Sequence, residues 1–186
     1  MSITVAGEPA QELGPLDGLP VDADLVAAVS GMVDQRAGEM TYMRRWLHSR
    51  PEHSRNEHAT TTALRERLEV EGLAPHVLEV GTGLVCDIGG DGPIVALRAD
   101  IDALAMQDAK DVPYRSMNDG ACHACGHDVH MAVVLGAGLV LRDLVAAGRV
   151  RGRVRRAGPS LRRHGPRPRP RPSNRATHST AGSGTR

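Results

Sequence analysis

The chain has 186 residues, a length that fits one domain with a sizeable core or one domain plus a tail. Aromatic residues make up 2% of the sequence and Phe is absent, so any core must be built from aliphatic side chains. The formal charge of +1 conceals two differently composed parts: all 22 acidic residues lie at or before Asp143, whereas residues 151–186 carry eleven arginines and no acid. Three cysteines are too few and too sparse for a secreted disulfide framework.

Neither a signal peptide nor a membrane span is expected. The N-terminus lacks a basic region followed by an apolar run, and the longest apolar stretch is broken by glycines, Arg142 and Asp143. We therefore expect a cytoplasmic protein.

The first predicted elements are a disordered leader and two helices. Residues 1–21 are rich in proline, glycine and small side chains. A helix begins at about Asp22, with Asp22 or Asp24 as the capping residue, and ends before Pro51; glycines within it leave its continuity open. A second helix has Asn56 as its expected N-cap and ends at Gly72.

The pattern then changes to short, β-branched segments separated by glycines. Strands are predicted at 77–80, 84–88 and 94–97, and the glycine-rich residues 89–92 predict a hairpin turn between the last two. A final helix is predicted over 127–147, ending at Gly148 and buried because it is apolar on most faces. Helices and strands in this order indicate an α/β fold.

Potential metal ligands are concentrated in one short stretch. Two cysteines, three histidines and one aspartate lie within the nine positions 122–130. Thiolate and imidazole are the ligands that zinc and its neighbours prefer, whereas a polar loop with buried thiols is the alternative. The density of ligands favours a metal site. Asp100 and Asp102 lie about twenty residues before this stretch, directly after a predicted strand. They are either solvated loop residues or carboxylates that orient a ligating histidine.

Three motifs resemble a known family. In chain order they are RRWLH at 44–48 with Pro51 and Glu52, RADIDAL at 98–104, and HACGHDVH at 123–130. They are similar to motifs of the amidohydrolase branch of the aminoacylase and carboxypeptidase-type metallopeptidases, which includes hippurate hydrolases and N-acyl-amino-acid amidohydrolases. Ala105 departs from the family pattern, which usually has a proline there.

The resemblance implies a site for two divalent metal ions, of zinc, manganese, cobalt or nickel. It implies that Cys125 is a thiolate ligand able to bridge both metals and that His127 is a terminal ligand. Asp102 is then the carboxylate that orients the histidine. His123 and His130 are expected to pack or to form hydrogen bonds rather than to bind metal, and Cys122 is expected to be a bystander.

The resemblance also implies an activity, which is hydrolysis of the amide bond of small N-acyl amino acids. It further implies that full-length relatives can dimerise. The family continues after residues 149–151 into a strand ending at a glutamate pair, one of which is the general base; this sequence has no acid there. We therefore expect the incomplete N-terminal portion of a metallopeptidase-type catalytic domain over 22–150, inactive alone, followed by a disordered basic tail over 151–186.

The tail itself has two possible origins. Its Arg, Pro, Gly, Ser and Thr content is what a shifted reading frame in GC-rich coding sequence could produce, and this origin is favoured. The alternative is a selected arm that binds polyanions, which would make the chain a non-catalytic metal-binding or nucleic-acid-binding protein. No aromatic residue lies among the arginines, so nucleic-acid binding is the less favoured function.

Overall fold

The computed structural model describes residues 4–6, 22–91, 94–150 and 153–157. Within these ranges, three helices and five strands form one α/β arrangement, as the sequence predicts. In chain order the elements are β1 (Thr4–Ala6), α1 (Ala23–Ser49), α2 (His58–Val70), β2 (His76–Val77), β3 (Leu84–Gly89), β4 (Ile94–Arg98), α3 (His127–Ala146) and β5 (Arg153–Ala157).

Helix α1 is a single continuous element of 27 residues. Its predicted cap is confirmed: the Asp22 side chain accepts hydrogen bonds from the backbone N–H groups of Asp24 at 2.9 Å and Leu25 at 3.2 Å. The internal glycines do not interrupt the helix, because its C-terminal half packs against α3 and the rest of the core. The helix ends one residue before Arg50, ahead of Pro51 as predicted.

Helix α2 starts differently from the prediction. Asn56 is not its N-cap; that position is Glu57, whose side chain makes no capping hydrogen bond. The carboxylate of Glu52 does this instead, accepting from the backbone N–H groups of Ala59 at 3.0 Å and Thr60 at 2.7 Å. A carboxylate at a helix N-terminus also interacts favourably with the helix dipole. Glu52 thereby ties the end of α1 to the start of α2.

The sheet has the strand order β1-β4-β5-β3-β2. The predicted hairpin between β3 and β4 is therefore wrong: these strands run in opposite directions, but β5 lies between them. β5 pairs parallel with β4 and antiparallel with β3. The glycines after β3 allow the chain to reverse direction, but they do not require the reversed strand to be the neighbour. The predicted strand at 77–80 is also shorter, because the chain turns where the N–H of Gly81 donates to the carbonyl of Leu78.

Two of the predicted domain boundaries need correction. The expected disordered leader includes β1, which pairs antiparallel with β4. The expected disordered tail includes β5, so the sheet continues past residue 150 to Ala157. Pairing on both sides of β5 provides the backbone hydrogen bonds that a disordered segment would lack. The rest of the leader and of the tail lie outside the described residues.

The core lies between the sheet and the helices and is aliphatic, as the composition requires. Its fully buried side chains include Leu47, Leu68, Met131, Leu135 and Leu139. α3 starts at the predicted residue and ends beside Gly148, whose φ of 66° is the left-handed conformation expected there.

Helix α3 is not buried on every face. Val129 and Val133 are 43% and 55% exposed. By length and apolar composition α3 could cross a membrane, yet in this structure it packs against α1 and β3.

Candidate metal centre

The metal loop, defined as residues 121–127, is held against the segment that follows β4. Leu104 and Cys122 exchange two backbone hydrogen bonds, each 3.0 Å long. Gly126 then has a φ of 84°, a conformation that favours glycine, and α3 begins at the next residue. Two motifs about twenty residues apart in sequence are therefore adjacent in the fold.

His127 is fixed by Asp102. Its Nδ1 atom lies 2.8 Å from the backbone carbonyl oxygen of Asp102 and 3.1 Å from the carboxylate Oδ1. When Nδ1 carries the proton and donates to Asp102, the lone pair of Nε2 is left for another partner. This is the arrangement by which carboxylates and carbonyls orient metal-binding histidines. The contact expected between these residues is present; the metal-ligand roles remain a prediction.

Cys125 is a free, half-buried thiol two residues before α3. Cysteine sulfur is a preferred ligand of zinc. Cys125 and His127 thus offer one sulfur and one nitrogen. Among the described residues, however, no third His, Cys, Asp or Glu forms a compact ligand group with them.

His123, expected to pack or to form hydrogen bonds, is packed without a hydrogen-bond partner among the described residues. It is 2% exposed, and neither ring nitrogen has a hydrogen-bond partner within the described part of the chain. Burial lowers its pKa to about 4, opposed by the nearby carboxylate of Asp128, so the ring is neutral near pH 7. A buried, neutral imidazole with two unpaired nitrogens in the metal loop fits a site that takes a cation. His130 is exposed, with its ring 5.9 Å from that of His127.

A second group of ionisable side chains lies beneath the loop and was missed by the sequence analysis. His48, at the end of α1, has Nδ1 2.8 Å from Asp128 and Nε2 3.2 Å from Asp108. All three are buried, and Arg44 lies with Nε 2.8 Å from the Asp128 carboxylate. Both Arg44 and His48 belong to the RRWLH motif, and the His48 ring lies 6.5 Å from the ring of His123 in the metal loop. The network joins α1 to the first turn of α3 and to Asp108.

Asp108 and Cys122 complete this buried group. Asp108 accepts the backbone N–H of Ser116 at 3.0 Å, which, together with the N–H of Lys110, holds the pKa of the carboxyl well below its usual range. Burial raises the pKa of the Cys122 thiol. One ligand atom from each of His48, Asp108 and Cys122 lies within 4.8 Å of the others. Cys122, expected to be a bystander, therefore belongs to a polar cluster.

A comparison with protein-family models finds a match that includes Asp102, Cys125 and His127. Residues 96–157, from within β4 to the end of β5, match the model of Peptidase family M20/M25/M40. This segment of the chain is therefore similar to part of an M20-type peptidase domain. The match ends at Ala157 rather than at residue 150, in agreement with the corrected sheet boundary.

Relatives and solved structures resemble this chain over a limited length. An N-acetyl-L-cysteine deacetylase of Bacillus subtilis is 43% identical over 103 residues, which are 54% of this chain and 25% of that protein. A crystal structure of a dinuclear metal-binding M20 peptidase from the same organism is 38% identical, with a TM-score of 0.61 over 69% of this chain and 35% of that one.

A Rhodococcus jostii protein named as a glutamate–cysteine ligase is 40% identical over 130 residues, 69% of this chain but 16% of that protein. Most of the protein that carries the ligase name thus lies outside the matched segment. The chain spans between about a sixth and about a quarter of the length of these two curated relatives.

Proposed function

We propose that this chain contributes the metal-binding part of an amidohydrolase that cleaves the amide bond of small N-acyl amino acids. The observation that carries the proposal is the contact between His127 and Asp102 beside Cys125, within a segment that matches the M20 family. The substrate class is supported by the resemblance to a deacetylase of N-acetyl-L-cysteine.

Each residue of the centre has a defined part in this proposal. Asp102 holds the His127 ring through Nδ1, which leaves Nε2 available as a ligand atom, and Cys125 offers a sulfur atom two residues before His127. Cys125 and His127 would hold a divalent metal. By analogy with the dinuclear Bacillus subtilis peptidase, a second metal would bind beside it. A metal bound there would supply Lewis acidity toward the carbonyl group of an amide.

The proton acceptor is the part that these residues do not provide. Asp102 already accepts from His127, and Asp128 is buried and paired with His48 and Arg44. The sequence has no acid after Asp143. Because general-base assistance is worth roughly 10²–10⁴-fold in rate, we propose that the 186-residue chain does not turn over substrate by itself.

An activity assay with two chains tests this proposal. The zinc-loaded 186-residue chain should hydrolyse N-acetyl-cysteine and hippurate no faster than a zinc-only blank. A second chain, in which the sequence after Ala157 is replaced by the corresponding segment of the Bacillus subtilis deacetylase, should be active.

The control for both chains is Cys125→Ala, which should abolish the activity of the extended chain. If the 186-residue chain alone shows chelator-sensitive hydrolysis that Cys125→Ala removes, the residues after Ala157 complete the site and the proposed inactivity is wrong. If the extended chain is folded, binds zinc and still fails on every N-acyl amino acid, the proposed substrate class is wrong.

A further inference from the structure

The buried cluster of His48, Asp108 and Cys122 has the composition of a metal site. His48 lies 60 residues before Asp108 in the sequence, and each of the three side chains is at most 3% exposed. Their nitrogen, oxygen and sulfur atoms converge to within 4.8 Å of one another. Imidazole, carboxylate and thiolate together form a donor set that suits zinc and cobalt.

The orientation of His48 sets its free nitrogen toward the cluster. Nδ1 lies 2.8 Å from the buried Asp128 carboxylate, whose charge favours a proton on that nitrogen. The lone pair of Nε2 then points at Asp108 Oδ2, 3.2 Å away. Two electron-rich atoms at this distance repel each other unless a positive charge lies beside them.

Lys110 supplies that positive charge in this structure. Its Nζ is 3.2 Å from His48 Nε2 and 3.5 Å from Asp108 Oδ1. Unlike the three cluster residues, its side chain is 45% exposed, so the ammonium group can leave toward solvent without unpacking the core. A lysine in this position can be exchanged for a metal cation.

A purely structural network would use the same two carboxylates and a protonated His48. Such a network has no need of a sulfur atom, yet Cys122 Sγ lies within reach of both His48 and Asp108. The backbone of Cys122 is fixed by its two hydrogen bonds to Leu104, so the thiol is held in place. The sulfur is the feature that distinguishes a metal site from a charge network.

We propose that His48, Asp108 and Cys122 form a buried site for one divalent transition-metal ion, of the zinc or cobalt type, distinct from the centre at Cys125 and His127. Three protein ligands leave a fourth position for water or another small ligand. Asp128 orients the histidine of this site as Asp102 orients His127 in the other. Metal binding here displaces Lys110.

The test uses Co²⁺ as the probe and a full-length chain that lacks the other centre, Cys125→Ser with His127→Ala. Titration with Co²⁺ should give one bound ion and a thiolate-to-cobalt charge-transfer absorption. Cys122→Ser in this background should abolish the absorption, whereas Cys86→Ser, a buried cysteine of β3, should leave it unchanged. The background keeps a failure here separate from a failure of the proposed amidohydrolase centre.

Two further variants distinguish ligands from packing residues. His48→Ala should weaken Co²⁺ binding by at least the roughly 10–100-fold that loss of an outer partner of a metal ligand costs. Lys110→Ala, which alters a half-exposed side chain, should tighten binding by roughly 2- to 5-fold because it removes one competing charge.

An absorption that persists in Cys122→Ser, or no thiolate–cobalt absorption in a folded background chain, would overturn the proposal. Weaker binding in Lys110→Ala would also contradict it, because the lysine would then be assisting the metal rather than standing in for it. Circular dichroism of each variant separates loss of binding from loss of fold.

Discussion

The buried imidazole of His123 makes a quantitative prediction about pH. Burial lowers its pKa from 6.5 to about 4, because the charged ring would lose its hydration without gaining a hydrogen-bond partner. In the unfolded chain the ring regains an ordinary pKa. Between pH 6.5 and about 4 the unfolded state therefore binds more protons than the folded state, and the free energy of unfolding must fall as the pH falls.

The size of the effect follows from the two pKa values. One pKa unit is 1.36 kcal/mol, so the difference between 6.5 and about 4 corresponds to a loss of about 3 kcal/mol. The loss begins near pH 6.5 and is complete below about pH 4. Above pH 6.5 the neutral ring makes no pH-dependent contribution.

An NMR titration of the histidine rings, in the presence of a chelator, measures this directly. Of the nine histidines, one should keep its neutral chemical shift down to about pH 4, and its signal should be missing in His123→Gln. Urea unfolding at pH 7 and pH 5 should show a smaller pH dependence in His123→Gln than in the parent chain. Titration of every histidine between pH 5.5 and 7.5 would refute the reasoning.

Two further predictions concern the core and the metal loop. Leu135→Ala, at a fully buried position of α3, should lower the free energy of unfolding in urea by about 2–5 kcal/mol. Val133→Ala, at a position that is 55% exposed, should change it by no more than about 0.5 kcal/mol. Equal effects would contradict the packing described. Asp102→Ala should weaken zinc binding at the metal loop by roughly 10–100-fold in calorimetry of a Cys122→Ser background. Asp100→Ala is the matched control, because the carboxylate of Asp100 pairs with an arginine instead. A similar loss of zinc affinity in Asp100→Ala would contradict the assignment of Asp102 as the orienting carboxylate.

The helices could be predicted from the sequence because their signals are local. Asp22 caps α1 two and three residues away, and Gly148 lies two residues after the end of α3. Glu52, which caps α2, could not be found this way because it acts over seven and eight residues. The strand segments were recognisable, but β-sheet neighbours are chosen by long-range pairing, and no local pattern places β5 between β3 and β4.

The same distinction applies to the candidate site. The pairing of Asp102 with His127 could be predicted because both lie in motifs of a known family. The cluster around His48 could not, because Asp108 is 60 residues away in sequence and a single cysteine usually has only a packing role. The unpaired state of His123 depends on what surrounds it in three dimensions.

The central position of β5 has a consequence for the order in which the chain acquires its structure. β3 and β4 are complete by residue 98, but neither can close the sheet until Arg153–Ala157 has left the ribosome more than fifty residues later. Until then each presents an unpaired edge, and these edges are the parts of a nascent chain that recruit foreign strands. Five residues in the basic part of the sequence thus determine when the sheet of the nascent chain can become continuous.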